Sequence, residues 1–531
     1  MASAQPVADI PKKRILWADD EIDLLKPHIL FLEGKGFEVT PVPNGEDALA
    51  LVSEKPFDVV LLDEMMPGMG GLATLSEIKD RRPYLPVILI TKSEQEELMD
   101  EALGKRITDY LIKPVNPSQI FLAVKKVFEA QDLERTQAAR DYVGHVQKVA
   151  QIDTGRLGWQ EWRDLALDLA RWDLDMDRLS DSGLRQAHQD QRRELNGEFG
   201  RFIERSYPEW VHSPADRRPM LSVDVVERYV APSTRSDRRV VLVVIDCMRL
   251  DQWLAIEPLL ETFYQVDSDY YYGLLPSATP YARNAIFAGQ FIDDLRKKNP
   301  DLWSEDNKDE RSKNRFERPL LERQLERLKA VPRRPIKYIK VYTAEESTNV
   351  RRQVHSFESL GLVAIVFNFL DILTHGRSES DILQELAPDE TSFRAVMRAW
   401  FTHSPLYDAL RELARQDVTV VVTTDHGSVL GRRSSLVHGS RETSTNLRYK
   451  FGTNLKVDPR QGITVKNPSD YRLPNDGVNK NYILAKEDYY FVYPTRFHEF
   501  ERQFRGSFQH GGVSLEELII PVARLTPRGR R

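Results

Sequence analysis

Three aspartates and three histidines stand at or just after apolar runs in the second half of this chain: Asp246, Asp371, His375, Asp425, His426 and His510. Imidazole with carboxylate and no thiolate is a donor inventory for zinc or manganese in a catalytic site. Asp371 and His375 are four apart, so on a helical turn they share a face. Asp425 and His426 are adjacent and can diverge toward one centre. The stretch Gly273–Gly289, GLLPSATPYARNAIFAG, adds a hydroxyl. A short apolar run there meets a Pro-Ser-Ala-Thr-Pro turn and then a helix-like segment. Free backbone N–H groups and the helix dipole favour an anion at such a junction. Thr279 is the candidate nucleophile, and Arg283, about one turn on, is placed to reach a phosphate oxygen. Alone, a Thr in that place more often caps the helix. The neighbouring donor inventory turns the reading toward phosphoester chemistry.

A second cluster lies in the first 130 residues. Asp19-Asp20, Asp63, Thr91 and Lys113-Pro114 each follow or close a short apolar run. Crowded carboxylates repel one another and recruit a hard cation, Mg²⁺ with several waters. Such a metal neutralises charge as a phosphoryl group reaches Asp63. Lys113 supplies a point charge for the same oxygens, and Thr91 a hydroxyl.

These residues need parallel sheets to hold them. Strand patterns at Arg14–Ala18, Phe37–Val39, Asp58–Leu62, Val87–Ile90 and Tyr110–Ile112 alternate with helical periodicity, which predicts a flavodoxin-like domain over about 10–128. Function in such folds gathers at the carboxyl ends of the strands. From about 129 to 215, Val143, Val146, Trp159, Trp162, Leu165, Leu169, Phe199 and Phe202 recur at the spacing of a helical bundle connector. From about 216 to 531, long apolar strands at Arg239–Ile245, Leu362–Phe367 and Val418–Thr424 predict an α/β domain with a mainly parallel sheet.

At 531 residues, 41% hydrophobic and 29% charged, with net charge −6, the composition is that of a multidomain globular protein. The acidic balance argues against nucleic acid as a bulk partner, and no groove-reading helix is evident. The single cysteine, Cys247, excludes a disulfide framework and fits a small buried residue. No apolar run is long enough to span a bilayer, so a cytoplasmic protein is expected.

The first domain resembles a two-component receiver. The carrying motifs are Asp19-Asp20, Asp63 in Asp-Glu-Met-Met-Pro-Gly-Met-Gly-Gly, Thr91, Tyr110 and Lys113-Pro114. The resemblance implies Asp63 as phospho-acceptor, Asp19 and Asp20 with Asp63 as Mg²⁺ ligands, Thr91 and Tyr110 as a switch pair, and a cis bond after Lys113. The last domain resembles the alkaline phosphatase superfamily in its PglZ branch, with an alkaline-phosphatase-like α/β fold. That likeness gives Asp371, His375 and His510 to one Zn²⁺ and Asp246, Asp425 and His426 to a second, with Thr279 bridging to the latter. Arg283 and Asn284 are then expected at the equatorial phosphoryl oxygens.

The whole chain resembles PorX-type response regulators. This implies a sensor histidine kinase upstream, a sigma factor as partner, control of type IX secretion, and zinc-dependent phosphodiesterase action on cyclic or linear oligonucleotides. Charge added at Asp63 on a bistable receiver face is expected to shift a monomer–dimer balance toward a homodimer. The residues alone specify only a metal-dependent phosphoester hydrolase. His438, Arg441, Arg448 and Lys450, with Tyr449, concentrate in one segment and are candidate substrate-binding residues, or equally a solvated loop. The competing function is a receiver-controlled interaction module that binds a sigma factor with little or no catalysis.

Overall fold

The computed structural model describes residues 12–82, 84–92, 107–179, 181–303, 314–376, 380–439, 446–475, 477, 479–495 and 497–529. The chain forms two compact units, Met1–Lys148 and Val149–Arg531.

In the first unit, β1 (Arg14–Ala18), β2 (Glu38–Val42), β3 (Val59–Asp63), β4 (Val87–Thr91) and β5 (Asp109–Ile112) form a parallel sheet in the order β2-β1-β3-β4-β5. Alternate residues of one strand feed opposite cores, as the two-residue strand period requires. Ile15, Trp17, Val59, Leu61, Ile88 and Ile90 pack with Ile120, Val124 and Val127 of the helix Pro117–Ala150. Leu16, Ala18, Val60, Leu62 and Leu89 pack with Ala48, Val52, Leu75 and Ile78 of the helices Gly45–Glu54 and Gly71–Arg81.

The second unit is built on a six-stranded sheet. β8 (Ile336–Val341), β9 (Leu362–Phe367), β6 (Val240–Ile245) and β10 (Thr419–Thr423) are parallel neighbours. The terminal strand Ile519–Pro527 runs antiparallel between β10 and β7 (Tyr264–Tyr272). β6 and β9 are buried along their whole length, which is why they read as continuous apolar runs rather than alternating ones.

The segment 129–215 is helical as expected, with helices Trp159–Leu179 and Ser182–His212 after the long one. These two do not make a separate bundle. Trp162, Phe199, Phe202, Tyr207 and Trp210 share the core of the second unit, and Tyr272 stacks on Phe199 and meets Trp210 edge-on. Their aromatic face is wide enough to need the sheet as cover. Tyr207 also accepts the Leu275 N–H at 2.9 Å, which anchors these helices beside the Thr279 turn.

Candidate active site

In the first unit, Asp19 and Asp63 are buried and Asp20 is exposed at the carboxyl ends of β1 and β3. One carboxylate oxygen of each lies within 4.8 Å of the others. Lys113 Nζ sits 2.9 Å from Asp63 and 3.1 Å from Asp19. Burial pushes the Asp63 carboxyl up, and the Lys113 hydrogen bond pulls part of that back. The Lys113–Pro114 peptide bond is cis, as the receiver likeness implies. Thr91, at the end of β4, donates its hydroxyl to Glu64, the residue after Asp63. Tyr110 lies on β5 with its side chain partly exposed.

In the second unit the sheet delivers its ligands at three neighbouring carboxyl ends. Asp246 follows β6, Asp371 lies on the helix Phe369–Gly376 after β9, and Asp425-His426 follow β10. Each end is held by the backbone: Asp246 N–H donates to Phe367 O at 2.9 Å, and Cys247 N–H to Asp425 Oδ1 at 3.3 Å. Cys247 itself takes left-handed backbone (φ 67°), an uncommon conformation for a side-chain-bearing residue, and thereby turns the chain directly after Asp246. Gly427 is required by space: a Cβ there would meet the Glu516 carbonyl at 1.9 Å.

Two donor sets result. Asp371, His375 and His510 form one, with His375 and His510 Nε2 3.0 Å apart and 3.3 and 3.5 Å from Asp371 Oδ1. Asp246, Asp425 and His426 form the other, with His426 Nε2 3.8 and 3.7 Å from the two carboxylates. The His426 and His510 rings stack at 4.2 Å, so the sets lie side by side. Thr279 Oγ is 3.0 Å from His426 Nε2 and 3.4 Å from Asp246 Oδ1, at the first position of the helix Thr279–Ala288.

Both sets fit a metal ion. Ligands about 2.0–2.1 Å from a tetrahedral centre lie roughly 3.3–3.5 Å apart, close to these spacings. His426 Nδ1 is 3.0 Å from the Gly427 carbonyl; donating there, it leaves Nε2 with a lone pair toward the carboxylates. Asp425 Oδ2 is buried and accepts no hydrogen bond from a described residue. Burial, aided by the Asp246 charge, pushes the Asp425 carboxyl up to about 6, and burial pushes His426 down to about 4. Asp246 is raised by the same burial. Burial acts upward on Asp371 too, but hydrogen bonds from His375 and His510 hold it well below the usual carboxylate range. A desolvated carboxylate pair facing a neutral imidazole is stabilised by a dication.

Four expected substrate contacts are held by internal partners in the structure. Arg283 is buried, paired with Asp246 and with Glu317 Oε1 at 2.5 Å. Asn284 is fully buried and donates to the Pro280 carbonyl at 2.9 Å. Arg448 is fully buried against Glu517 at 2.5 Å. Lys450 is buried, donating to Asn446 O at 3.0 Å with its ammonium 5.2 Å from the Tyr493 ring, and burial lowers its pKa to about 8. Tyr449 packs its ring edge on Tyr281. His438 is exposed and bridges to Lys456 through its backbone. Arg441 lies outside the described residues. Arg283 and Arg448 are drawn inward by carboxylates distant in sequence, and Lys450 by a carbonyl four residues before it.

Two residues not singled out from the sequence hold the His510 turn. Ser277 Oγ accepts the Gly511 N–H at 3.1 Å and donates to the Gly512 carbonyl at 2.8 Å. Glu517 accepts the Gly512 N–H at 2.8 Å and the Ser514 hydroxyl at 2.8 Å. They tie the turn carrying His510 to the turn carrying Thr279. The available signal was a glutamate inside the apolar run Leu515–Pro521.

The family model described as "BREX system PglZ alkaline phosphatase-like domain" matches residues 225–525, more than half the chain. The chain belongs to the PglZ family. A response regulator receiver domain matches residues 15–125 and a PorX response regulator linker domain residues 132–211. Receiver, PorX linker and PglZ domain in this order make it a PorX-type response regulator, with a receiver built on a five-stranded parallel sheet, a helical linker and an α/β PglZ domain. Similar proteins include the transcriptional regulatory protein ZraR of Salmonella typhimurium, 42% identical over 102 residues, 19% of this chain and 23% of ZraR. Another is the regulatory protein ResD of Bacillus subtilis, 30% identical over 112 residues, 21% of this chain and 46% of ResD. The chain thus spans about a quarter of ZraR and under half of ResD. Among solved structures, a CheY-like receiver from Methanospirillum hungatei is 29% identical, covering 23% of this chain and 99% of that one, with TM-score 0.23. CheY4 of Vibrio cholerae is 26% identical, covering 22% and 99%, with TM-score 0.22.

Proposed function

We propose that the PglZ domain of this response regulator is a zinc-dependent phosphodiesterase acting on cyclic or linear oligonucleotides, under control of phosphorylation at Asp63. The observation that carries the reading is the hydroxyl of Thr279 within 3.0 and 3.4 Å of one donor set, with a second set stacked beside it. Zinc bound at the two sets would lower the pKa of a coordinated hydroxyl and stabilise a leaving oxygen. Asp246, Asp425 and His426 would hold one ion, and Asp371, His375 and His510 the other.

The chain's own residues then do the following. Thr279, at a helix N-terminus that favours an anion, directs Oγ at phosphorus. Its oxygen forms the new P–O bond as the bond to the leaving oxygen breaks; the Oγ proton passes to solvent and the leaving oxygen takes one up from solvent to depart as the alcohol. Water then attacks phosphorus, the Thr279–phosphorus bond breaks, and Oγ recovers a proton. The Arg283–Asp246 pair keeps the adjacent ligand fixed. In the receiver, Asp19, Asp20 and Asp63 suit Mg²⁺, Lys113 suits the arriving phosphoryl oxygens, and Thr91 with Tyr110 suits a switch pair.

We infer for the wider role a sensor histidine kinase as phosphodonor, a sigma factor partner, a link to type IX secretion, a phosphorylation-dependent homodimer and a cytoplasmic site of action; the receiver match supports the kinase, and the PorX linker match supports a place among such response regulators. No described helix is long and apolar enough to cross a membrane.

The test is hydrolysis of bis(p-nitrophenyl) phosphate and of a cyclic dinucleotide after stripping metal with a chelator and restoring zinc. Turnover that returns with zinc is expected. A protein loaded with two zinc ions that hydrolyses neither substrate faster than its metal-free form would overturn the proposal.

A further inference from the structure

Arg283 is one buried cation among three buried carboxylates. Its Nη1 pairs with Asp246, lies 3.8 Å from Asp425 Oδ2, and donates to Asn368 Oδ1 at 3.2 Å. Its Nε is held from the other side by Glu317 Oε1 at 2.5 Å. Arg283 and Glu317 are essentially inaccessible to solvent. Glu317 is itself fixed by the Tyr338 hydroxyl, by Asn314 Nδ2 at 3.1 Å and by Lys340 Nζ at 3.2 Å. Asn314 also donates to the carbonyl of Thr279 at 3.2 Å. The cluster therefore grips the nucleophile helix and one ligand of the Asp246–Asp425–His426 set together.

We infer that Glu317 is a positioning residue that sets how tightly the Asp246–Asp425–His426 set holds its cation, by sharing the Arg283 guanidinium with Asp246. The inference rests on the metal reading proposed above. A guanidinium charge beside Asp246 and Asp425 neutralises them before an ion arrives and repels the ion when it does. Glu317 draws that charge to the far side of the guanidinium, so the two ligand carboxylates keep enough negative charge to bind a dication. A chain in which Glu317 were merely a packing partner would show none of this, because shape alone does not discriminate among charges. The Asp371–His375–His510 set has no contact with Arg283 in the structure and serves as an internal reference.

Glu317→Gln preserves shape and one acceptor oxygen, which can serve Tyr338 or Asn314 but not both, and removes the charge. The Arg283 charge then falls wholly on Asp246 and Asp425. At the separations of this cluster, loss of one partly screened charge predicts zinc affinity of that set lower by about tenfold or more. Arg283→Met combined with Glu317→Gln removes the competing cation as well. The double variant is predicted to bind zinc at least as tightly as the wild type. That reversal of sign is not expected of a residue that only packs, where a second buried substitution adds to the damage.

The experiment titrates metal-free full-length protein with zinc against a chromophoric chelator. His426→Ala identifies which phase belongs to which set, and thermal melts of the metal-free variants follow folding. Wild type with two phases, Glu317→Gln weakened only in the His426 phase, and recovery in the double variant support the inference. Equal affinity of wild type and Glu317→Gln in that phase overturns it while leaving the metal reading intact. A wild type with no His426-dependent phase overturns both. Should Glu317→Gln fail to fold, the double variant, which removes both charges of the Arg283–Glu317 pair together, carries the test; weaker binding than wild type then overturns the inference.

Discussion

Replacing Arg448 by Met separates two roles for a fully buried member of the expected substrate contacts. Arg448 and Glu517 are both fully buried, with Nη2–Oε2 at 2.5 Å and Nε–Oε1 at 3.2 Å. Arg448 also donates to the carbonyls of Lys486 and Tyr489. Removing one partner of such a pair strands a charge away from water and costs about 3–5 kcal/mol. For a unit of roughly 380 residues, Val149–Arg531, unfolding entropy of about 2 cal/mol/K per residue turns that cost into a Tm drop of about 4–6 °C. Glu517 is also the acceptor for Gly512 N–H, so the turn carrying His510 loosens. Scanning calorimetry should therefore show a lower Tm, and kinetics a lower kcat with little change in KM. Arg448→Met with an unchanged Tm and a raised KM would refute this reasoning and return Arg448 to the substrate. His438→Ala, at an exposed position, is the control and should leave Tm unchanged.

Glu390 predicts an acid limb in stability. Burial acts to raise its carboxyl, but Arg192 and Arg249 outweigh burial and bring its pKa from 4.5 to about 2. A depressed carboxylate stabilises the fold above its unfolded pKa and loses that contribution as pH falls through the folded value, so the window is about pH 4.5 to 2 and the amount about 3 kcal/mol. Melts across that window should fall more steeply for wild type than for Glu390→Gln; parallel curves would contradict the assignment. In the receiver, Asp63→Asn should abolish Mg²⁺-dependent labelling by acetyl phosphate on phosphate-affinity gels while leaving the first unit folded, and persistence of the label would place the acceptor elsewhere.

Much of the architecture was legible because it is local. The strand β3 ends in Asp63 and β6 leads into Asp246, so an apolar run with a terminal carboxylate already states both the element and the edge at which it delivers its ligand. Asp371 and His375 meet because four residues make one helical turn. What the sequence concealed was direction set by distant partners. Arg283 does lie about one turn after Thr279, yet the helix buries it against Glu317, 34 residues on. Arg448 is claimed by Glu517, 69 residues away, and Ser277 by the Gly511-Gly512 backbone, more than 230 away. No periodicity carries such pairings. Charge in a polar segment therefore suggested a binding loop where the fold had used Arg448 in an internal ion pair and buried Lys450 against a carbonyl. The linker helices misled in the opposite sense: their aromatic stripe signals a core but does not say whose, and it is the PglZ sheet that supplies it.

The most direct test of the account compares turnover of bis(p-nitrophenyl) phosphate by wild type, Thr279→Ala and Thr279→Ser, each with its zinc content measured. The account predicts that Thr279→Ala keeps its metal but loses turnover by about a thousandfold or more, while Thr279→Ser, which retains a hydroxyl, keeps part of it. Thr279→Ala turning over at the wild-type rate with both metals bound would contradict the central claim that this hydroxyl is the nucleophile.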